Sequence, residues 1–252
     1  LINLVSLIVD NGQNSVSDLT PLLALNNLEF LHLQNGSLTE DMLQPITQLS
    51  KLKQLGLFEN QIEDISFLTS LGNDIEELHV AGNPIQDFSP VASLTSLKKF
   101  YGYYNPMDNL NYLSDLQNLE VIGISETGIS DITVLKDLPN LIDVRLNGNP
   151  IRRVSGIFTN MESGSININD TQIWCYEYDE LMAEIATDVE VIYDSSCILD
   201  SDQDGFSDQF ETDYGLDPFT ATLDIDQDGV PNGPSFRITE DGLLDSFFFF
   251  EN

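Results

Sequence analysis

Leu116-Gln117-Asn118-Leu119-Glu120-Val121-Ile122-Gly123-Ile124 carries apolar residues at positions 1, 4, 7 and 9 of a phrase that runs on to Ile129, Asp131 and Ile132. The opening leucine recurs on both sides: Leu49, Leu71, Leu94, Leu116 and Leu138 fall 22, 23, 22 and 22 residues apart. Two longer steps of 24, Leu1 to Leu25 and Leu25 to Leu49, precede them, so about eight units fill residues 1–173. A unit this short cannot bury its apolar face alone, so it stacks on its neighbours and shares one continuous core. Within each phrase, strand alternation sends positions 7 and 9 inward and leaves 6, 8 and 10 exposed, with 11 at the strand end.

Two polar columns accompany the apolar ones. Asn60, Asn83, Asn105 and Asn149 recur near position 12, where an amide side chain can satisfy backbone groups that the bend leaves unpaired. Gly36, Thr127 and Thr171 interrupt that column. Asp64, Asp87 and Asp131 recur just before short apolar stretches such as Ile65-Ser66-Phe67-Leu68, as carboxylates capping a short helical turn would.

This spacing is the leucine-rich repeat pattern, and it resembles the 22-residue repeats of bacterial internalin-like proteins over residues 1–173. The resemblance implies a leucine-rich repeat solenoid (horseshoe) with a concave parallel sheet and short 3₁₀ or irregular convex segments; with the residues after 173, the expected fold is α/β, this solenoid followed by a helical C-terminal cap and a calcium-loop tail. It further implies recognition of a protein or glycan on another cell or the same surface through the concave face.

The exposed columns gather Phe30, His32, Phe58, Glu59, Glu77, His79, Lys99, Tyr101, Tyr103, Tyr104, Glu126, Asp143 and Arg145. Exposed aromatics beside charge mark interfaces, so Phe30, His32, Phe58, His79, Tyr101, Tyr103, Tyr104 and Arg145 are the candidate ligand-binding residues. Gly102 stands at an inward position where leucine is expected, which leaves a second reading open: a distorted turn whose tyrosine rings fill the core. His32 and His79 share a column two turns apart, roughly 9–10 Å at the strand spacing, and no cysteine or third histidine joins them. No catalytic motif of the Gly-x-Ser-x-Gly, His-Glu-x-x-His or phosphate-loop kind occurs, so no enzyme activity is expected.

After Ile173 the period stops. Residues 174–199 form the expected cap: an amphipathic helix with Tyr178, Leu181, Met182 and Ile185 on its apolar side, then a strand-like Val189-Glu190-Val191-Ile192-Tyr193. Cys175 and Cys197 bracket it and are the chain's two cysteines. They read as a disulfide in an oxidising compartment or as unrelated buried thiols.

Residues 200–252 form an acidic tail. Asp200-Ser201-Asp202-Gln203-Asp204-Gly205-Phe206-Ser207-Asp208-Gln209-Phe210-Glu211 sets Asp at 1, 3 and 5, Gly at 6, an oxygen side chain at 9 and Glu at 12. That is the ligand spacing of a calcium loop, in which position 7 (Phe206) contributes its carbonyl. A second copy supplies Asp224, Asp226, Asp228, Val230 and Asn232 but has Ser235 at position 12. It is expected to bind more weakly, or to be completed by Glu240 or Asp241. The loops, with Gly215-Leu216-Asp217-Pro218 between them, resemble the bacterial thrombospondin type 3-like calcium repeats, which implies an extracellular, calcium-stiffened stalk with calcium as cofactor. Phe247, Phe248, Phe249 and Phe250 depart from that pattern.

The 252 residues are 41% hydrophobic and 20% charged, enough for a stable core. Acidic residues outnumber basic ones 42 to 9, for a net charge of -33. Such a surface repels phosphate backbones and anionic lipid, which argues against nucleic acid and membrane partners and favours divalent cations. No run of 18 apolar residues occurs and no basic segment precedes an apolar stretch at the start, so neither a transmembrane helix nor a signal peptide is expected within these residues, as in a mature or trimmed chain. The start inside a repeat phrase is expected of a piece of a longer protein. The leading expectation is a secreted or bacterial surface recognition protein. A spacer or surface-layer element without a specific ligand, and a cytosolic regulatory scaffold, are the alternatives.

Overall fold

The structure, a computed structural model, describes residues 3–10, 16, 18–193, 197–204, 206–214 and 217–219. The chain divides into two compact units: residues 1–173 with 177–196, and residues 174–176 with 197–252.

Nine strands build one sheet in the first unit: β1 (Ser6–Asp10), β2 (Phe30–Gln34), β3 (Gln54–Gly56), β4 (Glu77–His79), β5 (Lys99–Tyr101), β6 (Val121–Gly123), β7 (Asp143–Arg145), β8 (Gly164–Asn167) and β9 (Val189–Ile192). They are hydrogen-bonded in sequence order, every pair parallel. Parallel neighbours need a crossover; from β1 to β8 each crossover is one short repeat, and the last, from β8 to β9, holds a helix. The repeat therefore sets the register: Leu31, Leu55, Leu78, Phe100, Ile122, Val144 and Ile166 align across β2–β8, and all are fully buried.

Between β1 and β7 the outer side of each turn carries 3₁₀ helix, and aspartates begin several of these as the sequence predicts. The amides of Ser66, Ser89 and Thr133 donate to Asp64, Asp87 and Asp131 at 2.6, 2.8 and 2.9 Å, and Asp18 receives Thr20 in the same way at 2.8 Å. Each acid stands two residues before the first helical residue, one step earlier than a standard N-cap.

The asparagine column forms a buried ladder. Asn83 donates to Leu57 O and Val80 O at 3.0 and 2.9 Å and accepts from Ile62 N at 3.2 Å, so it ties its own turn to the one before. Asn60, Asn105 and Asn149 repeat the arrangement. Thr127 and Thr171 make the bond within the turn, hydroxyl to Ile124 O and Ile168 O at 2.8 and 2.7 Å, and the Thr127 hydroxyl also lies 3.1 Å from Asn149 Oδ1 of the next turn. A hydroxyl is too short to reach the previous turn as well.

Helix α1 (Cys175–Glu184) covers the last turns, with β9 added to the sheet edge. Leu181 is buried, while Tyr178 and Ile185 pack against the core. Met182, expected on the apolar side, is 47% exposed, and the charged Glu177 is buried instead. The helix turns toward the core on the line Glu177, Leu181 and Ile185, at i, i+4 and i+8. Glu177 can sit there because its Oε2 accepts from Val154 N, Ser155 N and Ser155 Oγ at 2.9, 2.9 and 2.7 Å.

In the second unit, a disulfide joins Cys175 to Cys197 with a Cα–Cα distance of 4.9 Å. Trp174 and Ile198 form a parallel bridge beside it. Helix α2 (Asp208–Tyr214) follows, its first amide bonded to Leu199 O at 3.0 Å. Among the described residues no helix is long and apolar enough to cross a membrane.

Candidate functional site

The sheet face turned away from the core carries a continuous line of aromatic rings. Phe30 stacks on His32 with centroids 4.3 Å apart, His32 lies 5.3 Å from His79, His79 lies 4.1 Å from Tyr101, and Tyr101 lies 5.9 Å from Tyr103. Phe58 closes one side, 5.9 Å from His32 and 6.2 Å from His79. Arg145 lies over the Tyr101 ring at 5.9 Å, within cation–π range.

Two glycines make the line continuous. Gly56 occupies the register position between His32 and His79, and a Cβ there would come within 2.4 Å of the His32 ring. The imidazole leans into that gap, which brings the two histidines to 5.3 Å in place of the 9–10 Å that strand spacing predicts. Gly123 lies between Tyr101 and Arg145, and the Tyr103 ring covers it. There the Tyr103 hydroxyl accepts from Arg145 Nη1 at 3.2 Å. Gly102 is buried without distorting the turn, because Met107 and Phe100 fill the space a side chain would take. Tyr101 and Tyr103 are thus half-buried on the sheet face, and Tyr104 is 69% exposed. The core-filler reading of the three tyrosines does not hold.

The cations in the line of the rings and on its strand-entry side are paired, while Glu120, in the row of Glu29 and Lys98, takes part in no ion pair among the described residues. Lys53 meets Glu29 at 2.9 Å, Lys98 meets Glu76 at 2.9 Å, Lys99 meets Glu77 at 3.5 Å and Arg145 meets Asp143 at 2.6 Å. Glu77 also lies 2.6 Å from His79 Nε2. Burial, then the neighbouring His79, hold the His32 pKa below its ordinary value against the opposing pull of Glu77. Its Nε2 is buried against Gly56 without a hydrogen-bond partner. Burial likewise raises the Tyr101 and Tyr103 hydroxyls, with Arg145 opposing.

The acidic loop of the second unit is built differently. Asp200, Asp202 and Asp204 each bring a carboxylate oxygen within 4.8 Å of the others. Gln203 takes a left-handed backbone, φ 61°, and the amides of Asp204 and Phe206 turn back onto Asp202 and Asp204 at 3.3 and 2.9 Å. Helix α2 presents Glu211 to this group, fully buried, with neither carboxylate oxygen hydrogen-bonded. Burial first, and then the charges of Asp202, Asp204, Asp200 and Asp208, push its pKa up to about 7. Asp208 turns both oxygens to Ser201, which donates from its amide and hydroxyl at 2.7 Å each. That residue therefore fastens the start of the loop to its end. Phe206 is buried and stacked on Phe210 at 5.3 Å. The second loop, Asp224, Asp226, Asp228, Val230 and Asn232, lies outside the described residues, as do Phe247 to Phe250.

No protein-family model matches the chain. A crystal structure of an internalin, inlF, from Listeria monocytogenes matches with a TM-score of 0.65 and 28% identity, over 74% of this chain and 54% of that one. An internalin C2 from the same organism matches at 0.58 and 31% identity, over 68% of this chain and 70% of that one. Human leucine-rich repeat-containing protein 56 is 31% identical over 107 residues, 41% of this chain. The chain is a leucine-rich repeat protein. It spans about a fifth of the length of that curated human relative and about half of the inlF chain.

Leucine-rich repeat proteins commonly serve as protein-binding scaffolds, and this leucine-rich repeat protein has its aromatic line on the sheet face. The donors of its acidic loop also suit a hard cation. They are all oxygen, several are buried, and Asp202 Oδ2 and both Glu211 oxygens lack a protein partner. Charge left this way is costly unless a cation offsets it.

Glu177 is the buried charged side chain that sequence reasoning missed, and its role is structural, bonding α1 to Val154 and Ser155. Its visible signal is a glutamate on the core-facing line of α1, four residues before Leu181.

Proposed function

We propose that this protein recognises a macromolecular partner through the concave sheet face, outside the cell or on a bacterial surface, and that the acidic loop binds calcium. The observation that carries the first part is the unbroken line from Phe30 to Tyr103, held in place by Gly56 and Gly123. Pre-positioned rings lose little conformational entropy on binding, which is why such anchors dominate interface energetics. The likeness to internalins and the disulfide support the extracellular setting.

Calcium would be held by Asp200, Asp202, Asp204 and Glu211, with the Phe206 carbonyl, and would supply the positive charge these groups need. Asp208 positions the loop through Ser201. Such extracellular sites fill at roughly 0.1–1 mM calcium.

An array of surface proteins and glycans, probed with the whole chain, tests recognition. Tyr101→Ala should weaken a confirmed binder by about 25-fold or more while leaving thermal unfolding unchanged. A binder indifferent to Tyr101→Ala would move the site to another face, and a variant that unfolds would show the ring to be core.

A further inference from the structure

The strand-exit side of the aromatic line differs in charge from the strand-entry side. At the end of successive strands the backbone turns left-handed at Asn35, Glu59, Gly82, Tyr104, Glu126, Gly148 and Asp170. Glycine, asparagine and aspartate suit that conformation, whereas glutamate and tyrosine are strained in it. The turn recurs at the same place in successive repeats, so the fold imposes it whatever residue stands there. Glu59, Tyr104 and Glu126 bear it, and all three side chains are exposed, so they contribute little to the core.

The glutamates also lie over glycines of the next turn. A Cβ on Gly82 would lie 3.2 Å from Glu59 Cγ, and one on Gly148 would meet the Glu126 carboxylate. Along the lip formed by Glu59, Tyr104, Glu126 and Asp170, none of the three acids takes part in the ion pairs of the described residues. On the opposite side Lys53, Lys98 and Lys99 each have their acid, as does Arg145 in the line itself. The face is therefore aromatic in the middle, largely ion-paired on one side, where Glu120 is the exception, and negative without ion pairs on the other, in a chain of net charge -33.

We propose that the partner is a protein segment carrying lysine or arginine beside an apolar anchor, the anchor seated on the aromatic line and the cations directed at Glu59, Glu126 and Asp170. This rests on the recognition reading above and adds the charge of the partner. Tyr104, standing between Glu59 and Glu126 in the series, offers its ring to the aliphatic stem or charge of the same basic side chains. Nucleic acid and anionic lipid are disfavoured by the same field that draws a cation in.

The test uses random dodecapeptides displayed on phage and panned against the whole chain. The enriched sequences should combine Lys or Arg with an aromatic or large aliphatic residue. Synthetic copies should bind about tenfold more weakly to the triple variant Glu59→Gln, Glu126→Gln, Asp170→Asn, with a flatter dependence on salt. All three positions are exposed, so thermal unfolding should not change. Peptides that need Tyr101 but lack basic residues, and bind the triple variant as well as the parent, overturn this inference and leave the recognition reading standing. Peptides indifferent to Tyr101→Ala overturn the recognition reading itself, and failure to enrich any sequence counts against both.

Discussion

Glu177 and Glu211 are both buried glutamates, one in each unit, and their surroundings are opposite. Glu177 meets three donors from Val154 and Ser155, which hold its pKa below the ordinary value although burial alone would raise it. Glu211 meets no donor, faces the carboxylates of Asp200, Asp202, Asp204 and Asp208, and is pushed up to about 7. The repeat unit answers its buried polar groups from its own backbone, as the asparagine ladder also does. The acidic loop leaves both oxygens of Glu211 and one of Asp202 unanswered. Self-sufficiency is what a scaffold requires, and unanswered charge is what a cation seat requires.

The ladder should yield the largest effect on the scaffold side. Asn83→Ala strips bonds from Leu57 O, Val80 O and Ile62 N and should cost about 3 kcal/mol in denaturant unfolding, since each buried group left unpaired costs about 1–3 kcal/mol. A loss below about 1 kcal/mol would mean that water replaces the amide.

Glu177→Gln should cost less, about 1–2 kcal/mol, because the amide oxygen still accepts and only the charge is lost. The acid's pKa is depressed in the fold, so its contribution is present above the unfolded carboxylate range and fades as pH falls through the lower folded value. The gap in stability between parent and Glu177→Gln should accordingly narrow on acidification. A gap independent of pH would contradict the assignment.

A smaller effect is expected at His32. Its pKa is lowered in the fold by burial and by His79, so protonation favours the unfolded chain, and stability should decline as pH falls through about 6.5, the unfolded histidine value. Glu77 and Lys99 face the same rings. His32→Phe should remove part of the decline between pH 7 and 5, read from melting temperature; an unchanged decline would place its origin elsewhere.

The sheet was legible because every inward leucine is replicated turn after turn, so no single substitution such as Gly102 could obscure the register. Outward columns followed from the same alternation, which located Phe30, His32, His79 and Tyr101 on the exposed face. What periodicity does not contain is the conformer of a side chain beside a glycine. The lean of His32 over Gly56 joined rings that strand spacing alone keeps apart, and that of Tyr103 over Gly123 brought its hydroxyl to Arg145. Glu177 escaped notice because charge normally argues against burial, and its three donors lie 22 and 23 residues earlier in the chain. In the acidic loop the alternate carboxylates were plain in the sequence, whereas the turning of Asp208 toward Ser201 depends on where helix α2 starts.

Calorimetric titration with calcium of the parent and of Glu211→Gln tests the contrast between the two units most directly. The parent should show one binding event more than the variant, saturating at roughly millimolar calcium, while the repeat unit unfolds alike in both. Identical titrations would contradict the account and leave Glu211 a buried acid without a cation to answer it.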